Sequence, residues 1–306
     1  MQRRAKQAGR LGYYRRNRAF YFMLIPVVAY YLTFSYGPMF GIVVAFKNFM
    51  PRAGIWGSAW VGLKHFNVLF NSNDFQMVLR NTILLSLYKL LWGFPAPILL
   101  ALLLNELQNR HFKKITQTIS YMPHFLSWVI VAMLVKTIFA FNGPINQLRN
   151  ALGLDSIIIM AQSHTFRSIL VGTNIWKEVG WGTLIYLAAI AGIDPSLYES
   201  AVLDGAGRFK QTLYITLPSI LPTIIILLIL RTGSIMNAGF EDVLLLQNPM
   251  VRDVSEVIDT YVYKMGIENA NYSYATAVGL FKSVIGLIMV LGTNELSRRL
   301  GDHSLL

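Results

Sequence analysis

The chain has 306 residues, of which 54% are hydrophobic and only 14% are charged. A soluble domain usually carries about 25% charged residues, and surface-to-volume scaling prevents a domain of this size from burying so apolar a composition. Residues 19–46 contain no charge at all, and about 20 apolar helical residues are enough to cross a bilayer. The composition therefore excludes a soluble protein and predicts an all-α integral membrane protein.

The net charge of +12 is concentrated at the amino terminus. Basic residues precede the first apolar run with no acid among them: Arg3, Arg4, Lys6, Arg10, Arg15, Arg16 and Arg18. This distribution is typical of a cytoplasmic tail near anionic headgroups, and it argues against a nucleic-acid partner. The apolar run is too long for a signal-peptide core, so we expect a retained first helix. The absence of cysteine excludes disulfides and thiolate metal sites.

Apolar periodicity and length predict six transmembrane helices. Their approximate bounds are 19–46, 81–105, 115–141, 168–193, 218–240 and 273–294. With the amino terminus inside, the cytoplasmic pieces hold 14 Lys and Arg residues, whereas the three longer external loops hold 8. The positive-inside rule therefore places both termini in the cytoplasm. Short helices are also expected in the external loops, near residues 63–70 and 145–154.

The cytoplasmic stretch 194–218 predicts a helix, a glycine turn and a second helix. Asp194 followed by Pro195 is a helix start, with a capping carboxylate and a proline at the first helical position. Gly205 permits a sharp exit with positive φ, and residues 208–217 restart as a short helix before the next span. The stretch also exposes apolar side chains. Two interpretations are open on these grounds: an amphipathic helix on the inner leaflet, or a docking surface for a cytoplasmic partner.

This stretch closely resembles the EAA loop of binding-protein-dependent ATP-binding-cassette (ABC) importer permeases, which reads roughly E-A-A-x-x-D-G-A, eight residues, then I-x-L-P. The matching residues are Glu199, Ala201, Asp204, Gly205, Ala206, Ile215, Leu217 and Pro218. The sequence departs from the pattern at Ser200, where alanine is usual, and at Thr212, where phenylalanine is frequent. The loop lies between the fourth and fifth predicted spans, as in that family.

The resemblance implies the fold of a type I importer permease (MetI-like). In such an importer the permease forms the path through the membrane, and a separate subunit hydrolyses ATP. A helix before the glycine turn would couple to a separate ATPase through Leu197, Glu199, Ala201, Asp204, Gly205 and Ala206. The implied partners are a second homologous permease, two cytoplasmic ABC ATPases, an extracytoplasmic solute-binding protein and membrane lipid. The chain has no phosphate-binding loop, so no cofactor is expected on it, and ATP and Mg would belong to the ATPase.

The resemblance also implies a domain organisation and a substrate class. A basic tail (1–18), a first helix with its external loop (19–75), a permease core (76–296) and a cytoplasmic tail (297–306) are expected in a prokaryotic cell membrane. Motifs such as Tyr36-Gly-Pro38, Arg80-Asn-Thr82 and Pro95-Ala-Pro97 are similar to those of carbohydrate-uptake permeases. Among the carbohydrate-uptake permeases, the motifs look like those of the subgroup that imports oligosaccharides or polysaccharide fragments.

Polar residues within the spans are candidates for a translocation path, because ionisable groups in a membrane usually face protein or water. The candidates are Trp176, Lys177, Glu178, Trp181, Tyr186 and Lys282. The alternative is that they brace the bundle or contact the second permease. Lys89 and Lys136 are expected to be structural and to snorkel, and His124 to be a satisfied bundle residue. Arg231 lies nearer the middle of its span than Lys89 and Lys136 do, and a functional role for it is therefore worth testing.

No sequence motif indicates an enzyme or a metal site. Two other classes of function stay open. An ion-gradient-driven secondary transporter would need acidic groups in the spans, for which Glu178 is the only candidate. The second class, a membrane scaffold, would transport nothing. Within the ABC family, a permease for a non-sugar solute is also open, because it would have the same EAA loop.

Overall fold

The computed structural model describes residues 17–301. The tail predicted at residues 1–18 lies almost entirely outside this range, as do residues 302–306 of the predicted carboxyl-terminal tail. The first helix, α1 (Arg18–Tyr31), continues through a π turn and a 3₁₀ segment as far as Phe46. It tolerates Pro26 in its interior, as membrane helices can when other groups satisfy the freed carbonyl.

The segment between the first two spans is folded. It holds β1 (Lys47–Asn48), α2 (Gly54–Gly57), β2 (Ala59–Trp60) and α3 (Lys64–Phe70). The two strands pair antiparallel, with Lys47 opposite Trp60. Helix α3 occupies the position at which the sequence predicts a short helix.

The second span is longer than predicted. Helix α4 (Asn73–Gly93) runs almost directly into α5 (Pro95–Glu106), and together they form one 34-residue segment. Ser72 begins it as an N-cap, accepting a hydrogen bond from the amide of Phe75 at 3.3 Å. The predicted start at residue 81 is therefore eight residues late, because the first two turns carry polar residues that a hydropathy pattern assigns to the loop.

The third span, predicted at 115–141 with an interruption at Pro123 and His124, is sharply bent. Helix α6 (Arg110–Tyr121) ends in a 3₁₀ turn at Phe125, and α7 (Trp128–Ile138) leaves it at an angle of 102°. Pro123 lies in that turn, where proline supplies no amide hydrogen and cannot continue an α-helix. Ser127 then caps the new helix, accepting from the amide of Ile130 at 3.4 Å.

The next elements carry the chain to residues 194–218, which we name the elbow, and back. They are α8 (Pro144–Ala151), a 3₁₀ turn (Ile159–Ala161), α9 (Ser163–Ala191), α10 (Pro195–Leu203), α11 (Arg208–Gln211) and α12 (Leu217–Gly233). A π turn joins α11 to α12, so the second helix of the elbow is continuous with the fifth span from Arg208 to Gly233. The predicted break before Pro218 does not occur, because proline fits the first turn of a helix.

The acidic segment 241–272, predicted as an external loop, is folded and packs into the core. It folds into α13 (Glu241–Leu246), α14 (Arg252–Ser255) and α15 (Ile258–Tyr263), with 3₁₀ and π turns between and after them. Its aliphatic residues, interleaved with the acids, enter the largest core cluster: Val243, Leu246, Val251, Val254 and Val257. The last helix is α16 (Tyr272–Gly301).

The described residues contain four helical segments that are long and apolar enough to span a bilayer: Arg18–Phe46, Asn73–Glu106, Arg208–Gly233 and Tyr272–Glu295. The bent pair formed by α6 and α7 supplies a fifth span if it is counted as one. Helix α9 has 29 residues, about 43 Å at the rise of an α-helix. Its polar residues, including Lys177 and Glu178, make it less apolar, and it is therefore not one of the four segments named above.

Helix α9 is the central element of the fold. Its Gly180 crosses α6 so closely that a Cβ atom there would lie 1.9 Å from the carbonyl oxygen of Ser120. Gly182, two residues on, faces Pro97 of α5, whose side chain would lie 3.0 Å from an added Cβ. Close contact between helix backbones needs small residues at the crossing. The glycines of α9 therefore set its distance from both neighbouring spans.

Candidate functional site

The elbow, residues 194–218, has the predicted helix, glycine turn and helix. Asp194 caps α10 by accepting a hydrogen bond from the amide of Ser196 at 2.9 Å. This bond stabilises the ionised carboxylate and lowers the pKa of Asp194. The capping contribution is therefore present at neutral pH and is lost as the pH falls through that lowered pKa.

The turn after α10 is a Schellman motif. Gly205 has a φ of +74°, a conformation that glycine adopts without steric cost. Its amide donates to the carbonyl of Val202 at 3.0 Å, and the amide of Ala206 donates to that of Ala201 at 2.8 Å. These are the two bonds that end a helix in this motif. Ala201, Gly205 and Ala206 of the EAA pattern are thus the residues that form the turn.

Apolar side chains project from the elbow without cover from this chain. Leu203 is 89% exposed and Phe209 80% exposed, and others that are exposed are Leu197, Val202 and Tyr214. Glu199 and Asp204 are also exposed, and neither makes an ion pair with another residue of the described range. A contiguous exposed apolar patch with free carboxylates beside it is typical of a protein-binding surface.

The elbow is fastened to the fifth span. The hydroxyl of Tyr198 lies 2.9 Å from Thr216 Oγ1, and Thr216 is fully buried. The side-chain amide of Gln211 (Nε2) donates to the carbonyl of Ala206 at 2.7 Å. These bonds bridge the glycine turn, so α10 and the start of the fifth span move together.

A cavity of about 640 Å³ lies between α4, α5, α9, α12 and the segment that leads into α13. Its polar and aromatic lining residues include Lys89, Phe94, Trp128, Asn174, Glu178, Trp181, Tyr186, Arg231, Asn237, Phe240, Glu241 and Asp242. Its volume is within the range for small-molecule sites, and its mixture of aromatic faces and hydrogen-bonding groups suits a polar ligand.

Charged groups in the cavity wall are mostly paired. Lys89 and Asp242 form a buried ion pair, and Lys89 also donates to the carbonyl of Ala238 at 2.6 Å. The side-chain carboxylate of Glu178 lies 2.9 Å from Nδ1 of His124. Arg231, by contrast, has no ion-pair partner within residues 17–301. It is the cation that the wall leaves available to a ligand.

An aromatic cluster supports the cavity at the bend between α6 and α7. The indole of Trp181 lies parallel to the imidazole of His124, with ring centroids 4.5 Å apart, and Phe125 meets it edge-on at 5.7 Å. Trp181 is 45% exposed and lines the cavity. The bend therefore places a fixed aromatic residue against the open space.

Lys177 donates hydrogen bonds to backbone carbonyls at the same bend. Its ammonium donates to the carbonyls of His124 at 2.7 Å and Leu126 at 2.8 Å, with that of Pro123 at 3.4 Å. The Pro123 carbonyl also accepts from the amide of Leu126 at 3.2 Å, whereas those of His124 and Leu126 lie at the end of a helix, where carbonyls lack an intrahelical partner. The ammonium also lies 5.5 Å from the ring centre of Trp128. Lys177 and Glu178 thus make their hydrogen bonds to different groups, because adjacent helix residues lie about 100° apart, although the ammonium and the carboxylate are also within 4.0 Å of each other.

The structure brings three of the six candidate path residues together. Glu178, Trp181 and Tyr186 line the cavity. Lys177 is buried behind the wall, Trp176 is half-exposed on another face, and Lys282 pairs with Asp259 on a different part of the fold. Lys89 is bonded internally, as expected, but as a buried ion pair; the prediction that it snorkels is wrong.

Several cavity residues escaped the sequence analysis. Trp128, Asn174, Asn237, Glu241 and Asp242 line the space, yet nothing in their local sequence singles them out. The pairing of Lys89 with Asp242 had one available signal: a basic residue within a span and an acid beside another span each need a partner. No group of three or more His, Asp and Glu in residues 17–301 is arranged to hold a metal ion.

Comparison with known proteins decides the family. Residues 93–302, more than two thirds of the chain, match the family described as "Binding-protein-dependent transport system inner membrane component". The chain belongs to this family. Protein LplB of Bacillus subtilis (strain 168) is 47% identical, over 95% of this chain and 92% of its own length. The polygalacturonan/rhamnogalacturonan transport system permease protein YteP of the same strain is 46% identical, over 95% and 91%.

A solved structure of the family has the same fold. It is a bacterial ABC transporter involved in the import of the acidic polysaccharide alginate, and one of its chains is 43% identical. The two chains superpose with a TM-score of 0.89, over 95% of this chain and 99% of the other. The same transporter has been solved in complex with a periplasmic protein that carries an alginate pentasaccharide. The all-α membrane permease fold predicted from the sequence is confirmed.

Removing the Lys177 ammonium should destabilise this inner membrane component. Lys177→Met removes the donor to the carbonyls of His124 and Leu126, and we expect a loss of about 1–3 kcal/mol in the free energy of unfolding. Thermal unfolding of the detergent-solubilised protein measures it. Lys136→Met, which replaces an exposed lysine of α7, is the matched control and should change little. Equal melting temperatures for the two variants would contradict the bracing role.

Proposed function

We propose that the chain is the transmembrane permease subunit of an ATP-driven, binding-protein-dependent importer of carbohydrates. The family membership and the two close relatives support a transport role, and YteP is by description a permease for polygalacturonan and rhamnogalacturonan. The related alginate transporter also imports an acidic polysaccharide. The cargo proposed for this chain is accordingly an oligosaccharide or polysaccharide fragment, with acidic sugars favoured.

The exposed elbow is the observation that carries the proposal. Its apolar tip has no cover from this chain, and its Schellman turn presents backbone where a side chain would obstruct a close partner. A separate cytoplasmic ABC ATPase is the proposed partner, two copies serving this chain and a second homologous permease. ATP and Mg bind to those ATPases, and both termini of this chain face the cytoplasm of a prokaryotic cell. A solute-binding protein delivers the sugar from outside.

The proposed mechanism follows from the rigidity of the elbow. Closure of the ATPase dimer moves α10, and the bond from Tyr198 to Thr216 passes the movement to the fifth span. That span carries Arg231 to the cavity wall. Movement of packed helices as rigid bodies then exposes the cavity alternately to the two sides of the membrane. Trp181 offers an apolar face for a sugar ring, and Arg231 offers a cation for a uronate carboxylate.

Bulk at Gly205 should uncouple transport. A Cβ at this position meets nothing within 4 Å in this chain, so steric obstruction can come only from a partner. Asparagine tolerates positive φ better than other side chains, and Gly205→Asn therefore adds bulk with little strain. We expect ATP-driven uptake of an oligogalacturonate by reconstituted proteoliposomes to fall by about tenfold or more, equivalent to about 1.4 kcal/mol of coupling free energy.

The control and the contrary outcome are direct. Gly207→Ala adds a Cβ in equally open space at a negative φ of −67°, and should keep uptake within about twofold of wild type, as most exposed substitutions do. Co-purification of the ATPase is measured for both variants. Unchanged uptake together with unchanged ATPase retention in Gly205→Asn would overturn the elbow as the coupling site. Uptake that continues without any ATPase would favour an ion-gradient-driven transporter.

A further inference from the structure

The end of the second span is tied to the elbow by a group of polar contacts. Glu106, the last residue of α5, accepts a hydrogen bond from the hydroxyl of Thr212 at 3.1 Å. Its other carboxylate oxygen lies 4.0 Å from the guanidinium of Arg208. Gln108 accepts from the same guanidinium at 3.2 Å when its amide oxygen faces it. We name this set of four residues, Glu106, Gln108, Arg208 and Thr212, the cytoplasmic clamp.

One of these residues is a departure from the EAA pattern. Thr212 stands where phenylalanine is frequent in the loop, and its hydroxyl is the group that Glu106 accepts. A phenylalanine at this position could not donate a hydrogen bond. The departure therefore exchanges an apolar contact for a directional polar one. Arg208, which begins the helix after the glycine turn, supplies the second donor.

The other end of the same helical segment forms a wall of the cavity. Phe94 and Pro97 line the space, and Pro97 is nine residues before Glu106, about 14 Å along a helix. Apolar residues of α5, α9 and α12 also pack together around Ala101, Tyr186 and Ile220. Apolar packing is non-directional, and it allows one helix to slide along another. Hydrogen bonds at the helix end fix the axial position.

From these contacts we infer that the cytoplasmic clamp transmits movement of the elbow to the second span, with Glu106 as its positioning residue. The inference rests on the proposed function and goes beyond it. The fifth span receives the movement directly through Tyr198 and Thr216, whereas the second span receives it across the clamp. Both walls of the cavity then move in the same step. Glu106 touches no substrate; it acts through Arg208 and Thr212.

The test follows the cavity wall without requiring a known sugar. The natural chain has no cysteine, so Phe94→Cys places a single thiol of this subunit on the wall formed by the second span. Its rate of labelling by a water-soluble maleimide is measured in the complete complex, with and without ATP. In the otherwise wild-type complex the rate should change with ATP. In Glu106→Ala that ATP-dependent change should fall by about fivefold or more, the lower end of coupling between linked sites.

Charge exchange and a matched control separate coupling from mere stability. Glu106→Arg and Arg208→Glu should each reduce the ATP-dependent change, and the double variant should restore it. Arg110→Gln removes an exposed cation beside the clamp and should behave as wild type. Thermal unfolding and ATPase retention should stay near wild type in all of these, because exposed ion pairs contribute only about 0–1 kcal/mol.

Two results would overturn the inference. One is an ATP-dependent labelling change in Glu106→Ala equal to that of wild type. The other is a double variant no better than either single variant, with melting temperature falling in parallel. Uptake of oligogalacturonate is measured on the same preparations. Wild-type labelling that responds to ATP without uptake of this sugar would count against the proposed cargo and leave the clamp supported.

Discussion

Lys89→Met should lower the free energy of unfolding by about 3–5 kcal/mol, the cost of leaving one member of a buried ion pair without its partner. Lys89 and Asp242 are each less than a tenth exposed. Lys89 also binds the carbonyl of Ala238, and Gly239, beside it, has a φ of +106° that brings the backbone against the pair. The variant therefore leaves the largely buried Asp242 carboxylate without its ammonium partner.

The double variant decides whether the loss comes from the unpaired charge. Lys89→Met with Asp242→Leu removes both charges and should recover most of the stability, because apolar replacements of buried pairs are often neutral. Lys282→Met breaks a pair with Asp259 that is about one fifth exposed, and should cost less than Lys89→Met. Denaturant unfolding in mixed micelles measures all three. A double variant as unstable as Lys89→Met would show that the loss lies in lysine packing.

The elbow could be predicted from the sequence because its signals are local. Asp194 before Pro195, and glycine at 205, are each read from neighbouring residues, and the capping bond and Schellman turn follow at those positions. The two-bond motif needs only six consecutive residues. The role of the elbow did not follow from local physics, which left a membrane-surface helix equally open; the resemblance to the EAA loop decided between them.

The cavity could not be predicted in the same way, because its walls meet through long-range contacts. Lys89 and Asp242 are 153 residues apart, and His124 and Glu178 are 54 apart. Hydropathy treats residues 241–272 as a charged loop, yet the aliphatic residues between the acids enter the core. Pro123 predicts an interruption of the helix, but the contacts of Lys177 with the carbonyls at the bend join residues more than 50 positions apart and form only in the fold.

Gly180→Ala should be severely destabilising although it adds a single methyl group. An added Cβ would lie 1.9 Å from the carbonyl oxygen of Ser120 and 2.9 Å from the amide nitrogen of Tyr121. Both atoms are backbone, so no side-chain rotation relieves the contact, and α9 must move away from α6. We expect a loss of about 3 kcal/mol or more in the free energy of unfolding, the upper end of overpacking costs.

Gly172→Ala is the matched control for Gly180→Ala because it makes the same substitution on the same helix. A Cβ at Gly172 meets nothing within 4 Å, and alanine favours the helix over glycine by about 0.5–1 kcal/mol. Gly172→Ala should therefore unfold at the same or a higher temperature, while Gly180→Ala unfolds lower. Since α9 also carries Lys177 and Glu178 to the bend at Pro123, Gly180→Ala should shift Trp181, and its fluorescence spectrum should change. Similar melting curves and spectra for the two variants would show that α6 and α9 are not packed this closely.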